Sequence, residues 1–124
     1  MELNFTEEPG FEKSLKKYFK KYLTIYEDLE IFREILIDRY LDCGDKVSNI
    51  VSKHTNILTS EQGVYVIKDR MMCRALKGSS LRVVHIYHKN ENKIIFLELF
   101  YKGDKENEDK ELYQSKLVEI LKDL

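Results

Sequence analysis

Basic side chains alternate along one stretch of the sequence in a pattern suited to binding a phosphate. Lys68, Arg70 and Arg74 occupy even-numbered positions of one segment, and Arg82 follows after a short interval. In a β-strand, side chains two positions apart point to the same face of the sheet. Because arginine binds phosphate oxygens bidentately and lysine acts as a point charge, the pattern predicts an anion site on a sheet surface.

The positive charge of the chain is concentrated in its middle. The 124 residues have a net charge of −1, yet residues 64–103 contain eight Lys and Arg against three Asp and Glu. Crowded cations near a surface repel at a cost of about 1 kcal/mol per pair. This block is therefore expected to attract an anion, although basic side chains on strands also commonly serve only to keep an exposed face soluble.

Other residues of the same block are candidates to complete the site. A turn at residues 77–80 is expected to bring Arg74 near Arg82, with Tyr101 and Lys102 close to both at the end of the last strand. Unstacked bases rest on aromatic rings in many RNA complexes. The rings available for this purpose are those of Tyr65, Tyr87 and Tyr101.

The histidines and cysteines have no metal-binding pattern. His85 and His88 are three positions apart on a predicted strand and should point to opposite faces. Cys43 and Cys73 lack the spacing of a zinc site and are expected to be buried free thiols. His54 lies in a segment without predicted structure. We therefore expect no metal and no cofactor.

Two amphipathic helices are predicted in the N-terminal half. A short strand is expected at Leu3–Thr6, and Pro9-Gly10 is expected to interrupt regular secondary structure after it. The first helix should start at Phe11, where apolar residues begin to recur at helical spacing. The second should start at a capping box headed by Thr24 and end at Gly44. Together they are expected to form an antiparallel hairpin that covers one face of a sheet.

Beyond Gly63 the apolar period changes from helical spacing to two. The predicted elements are one or two strands at Val64–Leu76, a turn at residues 77–80, a strand hairpin of Leu81–His88 and Lys93–Tyr101, and a helix from about Lys105. Residues 45–63 are ambiguous, with a helical turn at Lys46–Lys53 as one option.

These elements predict an α+β domain of order β-α-α-β-β-β-α, with an N-terminal helical hairpin packed on a small, largely antiparallel sheet. All helices are expected to cover the same face of this sheet. The length suggests one domain over residues 1–124. No apolar run is long enough to span a membrane, and the acidic start differs from a signal peptide. We expect a cytoplasmic location without a membrane partner.

Two segments, RMMCRALKGSSLRVVHIY and KIIFLELFYKGDKENEDKEL, resemble the RelE/ParE superfamily of type II toxin–antitoxin toxins. On the RelE side, the resemblance implies a metal-independent, ribosome-dependent mRNA endonuclease that arrests translation. Such enzymes promote attack of a 2′-hydroxyl on the adjacent phosphate. The implied partners are a cognate antitoxin, the ribosome and mRNA, with a toxin–antitoxin hetero-oligomer that binds operator DNA.

The resemblance also implies roles for particular residues. Lys68 or Arg70 would polarise the 2′-hydroxyl, Arg82 would stabilise the phosphorane, and Lys102 would assist the leaving oxygen. Tyr113 is the single candidate for a catalytic tyrosine on the C-terminal helix. A groove between that helix and the sheet would receive the antitoxin. Arg74 and Lys77 fit the same basic surface and are expected to bind RNA. Two further RNA-binding candidates come from the sequence itself, namely His88, which lies beside a loop, and Tyr101, which offers a ring face.

Two other functions remain open at this stage. A ParE-like inhibitor of DNA gyrase would share the fold and need no cationic cluster. A degenerate toxin that acts only through antitoxin binding is favoured by the isoelectric point near 6.3, since active ribosome-dependent members are usually strongly basic. Replacing Arg82 and Lys68 should abolish toxicity only in the nuclease.

Overall fold

The computed structural model describes residues 2–44, 46–77 and 80–124, and these form a sheet with helices on both faces. The strands are β1 (Asn4–Glu7), β2 (Thr55–Glu61), β3 (Val64–Met72), β4 (Ser80–His88) and β5 (Lys93–Tyr101). The helices are α1 (Pro9–Phe19), α2 (Ile25–Cys43) and α3 (Lys110–Lys122), with short 3-10 turns at Val47–Ile50 and Lys89–Glu91.

The described strands form one sheet in the order β1-β5-β4-β3-β2. β1 runs parallel to β5 and all other pairs are antiparallel, which confirms the predicted α+β class. The predicted turn at residues 77–80 includes Gly78 and Ser79, which lie outside the described residues. The long stretch Val64–Leu76 is a single strand that stops at Met72.

The predicted element order omitted β2. This strand is polar and lies at the sheet edge, so its partly exposed side chains lack a clear apolar alternation. Gln62 and Gly63 connect it to β3 with φ angles of 51° and 79°. Positive φ at both central positions is what a two-residue hairpin turn requires. The optional helical turn in residues 46–53 corresponds to the 3-10 turn at Val47–Ile50.

The helical hairpin packs on one face of the sheet as predicted. Phe11 of α1 is fully buried and stacks on Phe96 of β5. The predicted apolar stripe of α2 is buried throughout, comprising Leu29, Phe32, Leu36 and Tyr40. Pro9 does not separate the strand from the helix as predicted, because it is the first residue of α1. In the first turn of a helix, the N–H group that proline lacks would have no partner in the helix.

The ends of α2 match the prediction in position, and one differs in chemistry. Gly44 is the C-terminal cap, with φ of +53°. Thr24 precedes the helix, but its side chain accepts no backbone bond from the first turn, so the capping box does not form. Thr24 Oγ1 instead donates to Asp28 Oδ2 at 2.7 Å.

The opposite face of the sheet is covered by α3, so the expectation that helices cover one face only was wrong. Tyr113 and Leu117 are buried against Val66, Val84 and Ile86. These side chains fill the space between the helix and the sheet in which an antitoxin groove was expected. The helix begins at Lys110, five residues after the predicted start, and Asp109 caps it by accepting from Leu112 N at 3.1 Å.

No described helix has the length and apolar character needed to cross a membrane. Cys43 and Cys73 are free thiols, as the sequence predicted. Cys73 is buried as expected, whereas Cys43 is only half-buried. Burial raises the pKa of each thiol.

Candidate phosphate-binding cleft

The pairing of β3 with β4 brings three of the predicted cations together. Arg70 lies directly opposite Arg82, and Lys68 lies opposite Val84. Because cross-strand partners share a face, all three side chains are on the face that also packs against α3. Arg74 had been expected to lie near Arg82, and the two residues line one larger cavity, described below. The cross-strand neighbour of Arg82 is Arg70, since β3 ends at Met72 before reaching Arg74.

A β-bulge in β5 adds the fourth cation to this face. Val84 pairs with Glu98 and His85 pairs with Phe96, so Leu97 is the extra residue. A bulge shifts the alternation of every following side chain by one position. Phe100 therefore lies beside Arg82, and Lys102 follows on the same face.

One cavity of about 240 Å³ collects these side chains. Its lining includes all four residues predicted to be catalytic, which are Lys68, Arg70, Arg82 and Lys102. Among the described residues, neither arginine nor Lys102 forms a salt bridge. Desolvation and the neighbouring charge of Arg70 lower the pKa of Arg82. The cleft therefore holds excess positive charge that an anion would relieve.

Lys68 differs from the other three cations because it has a carboxylate partner among the described residues, whereas Arg82 donates only to the backbone oxygen and hydroxyl of Ser80. Its Nζ lies 2.7 Å from Glu108 Oε1, and both side chains are largely shielded from solvent. Glu108 belongs to the acidic linker, residues 104–109 between β5 and α3. Glu98, the residue after the bulge, holds this linker by accepting from Asp109 N at 2.9 Å and by pairing with Lys105.

A second cavity of about 540 Å³ adjoins the first and shares Arg70, Arg82 and His54 with it. Arg74 and Lys77 line this second space. The Arg74 guanidinium is already engaged, since its Nε donates to Asp28 Oδ1 at 2.8 Å and its Nη2 to Glu27 Oε2 at 2.6 Å. Arg74 thus joins the strand end to α2.

The comparisons with known proteins bear on this architecture. No protein-family model and no curated protein matches the chain. A solved structure does: the archaeal RelE–RelB complex from Pyrococcus horikoshii OT3, with a TM-score of 0.54 and 17% identity over 83% of this chain and 98% of that chain. The chain has a RelE-like fold. At this identity the match establishes the fold alone.

The other predicted RNA-binding residues of this RelE-like sheet lie outside the cleft. Tyr101 is on the helical-hairpin face, where its backbone N donates to Tyr18 Oη at 3.0 Å. His88 is buried at the far end of β4, opposite Val64. His85 and His88 point to opposite faces as predicted, because Val84 lies on the cleft side and His85 on the other.

Tyr65, Tyr87 and Tyr113 are likewise not available to a base in the cleft. Tyr65 and Tyr87 stack on the helical-hairpin side, with Tyr87 also stacked on Tyr40 at 3.9 Å between ring centroids. Tyr113 is 7% exposed and forms part of the core beneath α3. The aromatic ring that does line the cleft is that of Phe100.

Lys53 and His54 are among the cleft residues that were not predicted from the sequence. Both line the smaller cavity, and His54 lines the larger one as well. They precede β2, the strand that lacked a recognisable alternation. The available signal was the Gln62-Gly63 hairpin, because recognising that turn would have placed residues 53–54 beside the end of β3.

The reverse face of β3 carries a buried polar network directly behind the cations. Asp69 accepts from both Nη atoms of Arg39 on α2, at 3.0 and 2.8 Å, and from Thr55 Oγ1 at 2.6 Å. Its side chain is 2% exposed. A carboxylate this deeply buried needs such charge-assisted donors. The network fixes β2 and β3 against α2 and so sets the position of the cleft's floor.

His85 extends this network without reaching the cleft. Its Nε2 lies 2.6 Å from Tyr40 Oη, and its Nδ1 lies 3.5 Å from Asp69 Oδ2. Burial raises the pKa of Tyr40, so its phenol donates and Nε2 accepts. Burial also lowers the pKa of His85 to about 4, which keeps the imidazole neutral near pH 7. His85 is therefore a structural histidine.

Among the described residues, no three His, Cys, Asp or Glu side chains converge in a way that could hold a metal ion. The chemistry available in the cleft is that of cations, one imidazole and the linker carboxylates. Such a set can bind a phosphodiester and move protons at it.

Proposed function

We propose that this protein is the toxin of a type II toxin–antitoxin system and cleaves mRNA on the ribosome. The observation that carries the proposal is the gathering of Lys68, Arg70, Arg82 and Lys102 in one cavity on a RelE-like fold. The sequence resemblance supports the RelE side of the superfamily, and a gyrase inhibitor would need no such cluster. The reaction is 2′-hydroxyl attack on the adjacent phosphate, without a metal ion.

The positions of the cations suit distinct roles at a scissile phosphate. Arg82 and Arg70 face each other across the strands, so two guanidinium groups can grip the non-bridging oxygens and stabilise the charge of the phosphorane. Lys102 stands at the rim beyond β5 and can donate a proton to the leaving oxygen. Lys68 is the fourth cation and must give up or share Glu108 to contact RNA. Arg74 and Lys77 extend the positive surface along the neighbouring cavity.

We also propose that a cognate antitoxin neutralises the protein and that the complex binds operator DNA. The solved structure with this fold contains RelE together with RelB. Apolar side chains on the outer side of α2 are exposed, including Ile31 and Ile35. A cytoplasmic location follows from a ribosomal target.

The test is inducible expression of the wild type and of Arg82→Ala, followed by primer extension on a translated reporter mRNA. We expect growth arrest with codon-phased cuts in the wild type, and neither in Arg82→Ala. Lys13→Ala is the matched control, because Lys13 is exposed on α1, far from the cleft. Arrest without cuts would favour gyrase or another target, and absence of arrest would favour a degenerate module that only binds antitoxin.

A further inference from the structure

A tight turn before β2 presents a histidine to the cationic cleft. Ser52 and Thr55 form an isolated antiparallel bridge, in which Ser52 N donates to Thr55 O at 3.1 Å. Lys53 and His54 occupy the tip of this turn, and both line the cavity that holds the four cations. His54 N also donates to Ser52 Oγ at 3.2 Å, which fixes the backbone at the tip.

The turn is anchored on both sides. Behind it, Thr55 Oγ1 donates to the buried Asp69 carboxylate. Beside it, Arg70 N donates to His54 O at 3.0 Å, so the histidine backbone is bonded directly to the strand that carries the cations. His54 lines both adjoining cavities, which also share Arg70 and Arg82.

The proposed reaction needs a proton acceptor that the predicted residues do not provide. Arginine and the lysine ammonium are hydrogen-bond donors with no acceptor site. Lys68 is additionally ion-paired with Glu108. A neutral imidazole has a free nitrogen lone pair, and histidine is the side chain that ordinarily changes charge between pH 5 and 8. Among the described residues that line the cleft, His54 is the one that carries an imidazole.

We propose that His54 is the catalytic general base, and this inference rests on the proposed function. An imidazole nitrogen of His54 takes the proton of the 2′-hydroxyl, whose oxygen then bonds to phosphorus. The bond from phosphorus to the 5′-oxygen breaks, and that oxygen takes a proton from the Lys102 ammonium, which recovers one from water. The imidazolium releases its proton to water. The products are a 2′,3′-cyclic phosphate and a 5′-hydroxyl end.

Other charged groups line the same cavity, and they include the possible alternatives to His54 as proton acceptor. The cations are Lys53, Lys68, Arg70, Arg82 and Lys102. The carboxylates that line it are Glu106 of the acidic linker and Asp69, which already accepts from Arg39 and Thr55. Glu108 pairs with the lining residue Lys68. Glu106 is exposed and has no ion-pair partner among the described residues, so it is the rival proton acceptor.

The test measures single-turnover cleavage of a defined mRNA on purified ribosomes, from about pH 5.5 to about pH 8.5. For the wild type we expect a rate that rises with pH at the acid end. In His54→Ala the rate should fall on the order of 10²- to 10⁴-fold and lose that rise. Added imidazole should restore part of the rate to His54→Ala and none to Arg82→Ala. A purely structural role for His54 would produce neither effect.

Three results would overturn the inference. The first is a His54→Ala rate within about threefold of the wild type, well short of what a general base contributes. The second is a cleavage rate that still rises with pH in His54→Ala. The third is a rate that no longer rises with pH in Glu106→Gln but does so in His54→Ala. If the wild type and His54→Ala cut while Arg82→Ala does not, the proposed function stands and the base is elsewhere. If the wild type does not cut, both proposals fail. Thermal melting of each variant checks folding.

Discussion

Two charged residues that are adjacent in the sequence of β3, Asp69 and Arg70, lie on opposite faces of the sheet and in different surroundings. Asp69 faces the helical hairpin, where Arg39 and Thr55 supply three donated hydrogen bonds to its buried carboxylate. Arg70, one residue later, faces the cleft and has no salt bridge among the described residues. One face thus carries charge whose partners are built into the fold. The other carries Arg70 and Arg82, which have no anionic partner among the described residues.

The difference separates structural from functional charge. A buried carboxylate whose donors are complete contributes to one fixed arrangement, and removing either side leaves an uncompensated group. Exposed cations held close together cost stability in the free protein. We therefore expect mutations on the helical-hairpin face of β3 to lower stability, and mutations on the cleft face to weaken binding.

The largest expected effect is on the structural face. Replacing Asp69 with Asn leaves Arg39 without its carboxylate in a largely buried position. We expect the free energy of unfolding to fall by about 3–5 kcal/mol. Arg70→Ala, on the other face of the same strand, should change it by less than about 0.5 kcal/mol. Urea unfolding of both variants measures the contrast, and equal losses would contradict it.

The second effect is a pH dependence of stability from His85. Its pKa is lowered from 6.5 to about 4 in the fully buried site, so it is neutral in the fold but protonates in the unfolded chain below pH 6.5. The unfolded state binds more protons in this interval, and stability falls as the pH decreases from 6.5 to 4. The loss is about 3 kcal/mol, with none further from this group below pH 4.

His85→Gln serves as the control for that pH dependence. Glutamine does not titrate and can still accept a hydrogen bond from Tyr40. Urea unfolding at intervals between pH 7 and pH 4 should give a steeper decline for the wild type than for the variant. Parallel curves would mean that His85 is not the group responsible.

The residues predicted correctly from sequence are those whose pattern is local. Lys68 and Arg70 share a face because they are two apart on one strand, and Arg82 joins them through a short hairpin. The apolar stripe of α2 and the bounds of β5 were likewise readable, since each depends on spacing within a single element. Such features need no knowledge of distant contacts.

The side-chain positions that the sequence did not reveal depend on distant partners or on local irregularity. Arg74 departs from the strand because it pairs with Asp28, which lies 46 residues earlier. Tyr101 turns away from the cleft because the bulge at Leu97 shifts the alternation, and no sequence period reveals a bulge. His54 was missed because a polar edge strand has little apolar signal.

On the cleft face, the expected effect is on binding. Arg70→Ala should weaken binding of a short single-stranded RNA by about 2 kcal/mol, the usual contribution of a charge-assisted contact. The slope of log affinity against log salt should shrink by about 0.7, since one phosphate contact is lost. Fluorescence anisotropy at several salt concentrations measures both quantities. Lys13→Ala, on the outer surface of α1, should leave both unchanged, and an equal effect there would indicate unspecific charge attraction.

The smallest effect concerns the one cleft cation that already has an anion. Glu108 Oε1 lies 2.7 Å from Lys68 Nζ, so a phosphate that bound to Lys68 would compete with this carboxylate. Glu108→Gln removes this competing charge and should tighten RNA binding by roughly 0.5 kcal/mol, because a partly exposed pair contributes little. Glu111→Gln on α3 is the matched control, with the same loss of charge but no ion pair among the described residues. Weaker RNA binding in Glu108→Gln would mean that the carboxylate positions Lys68 for the ligand rather than competing with it.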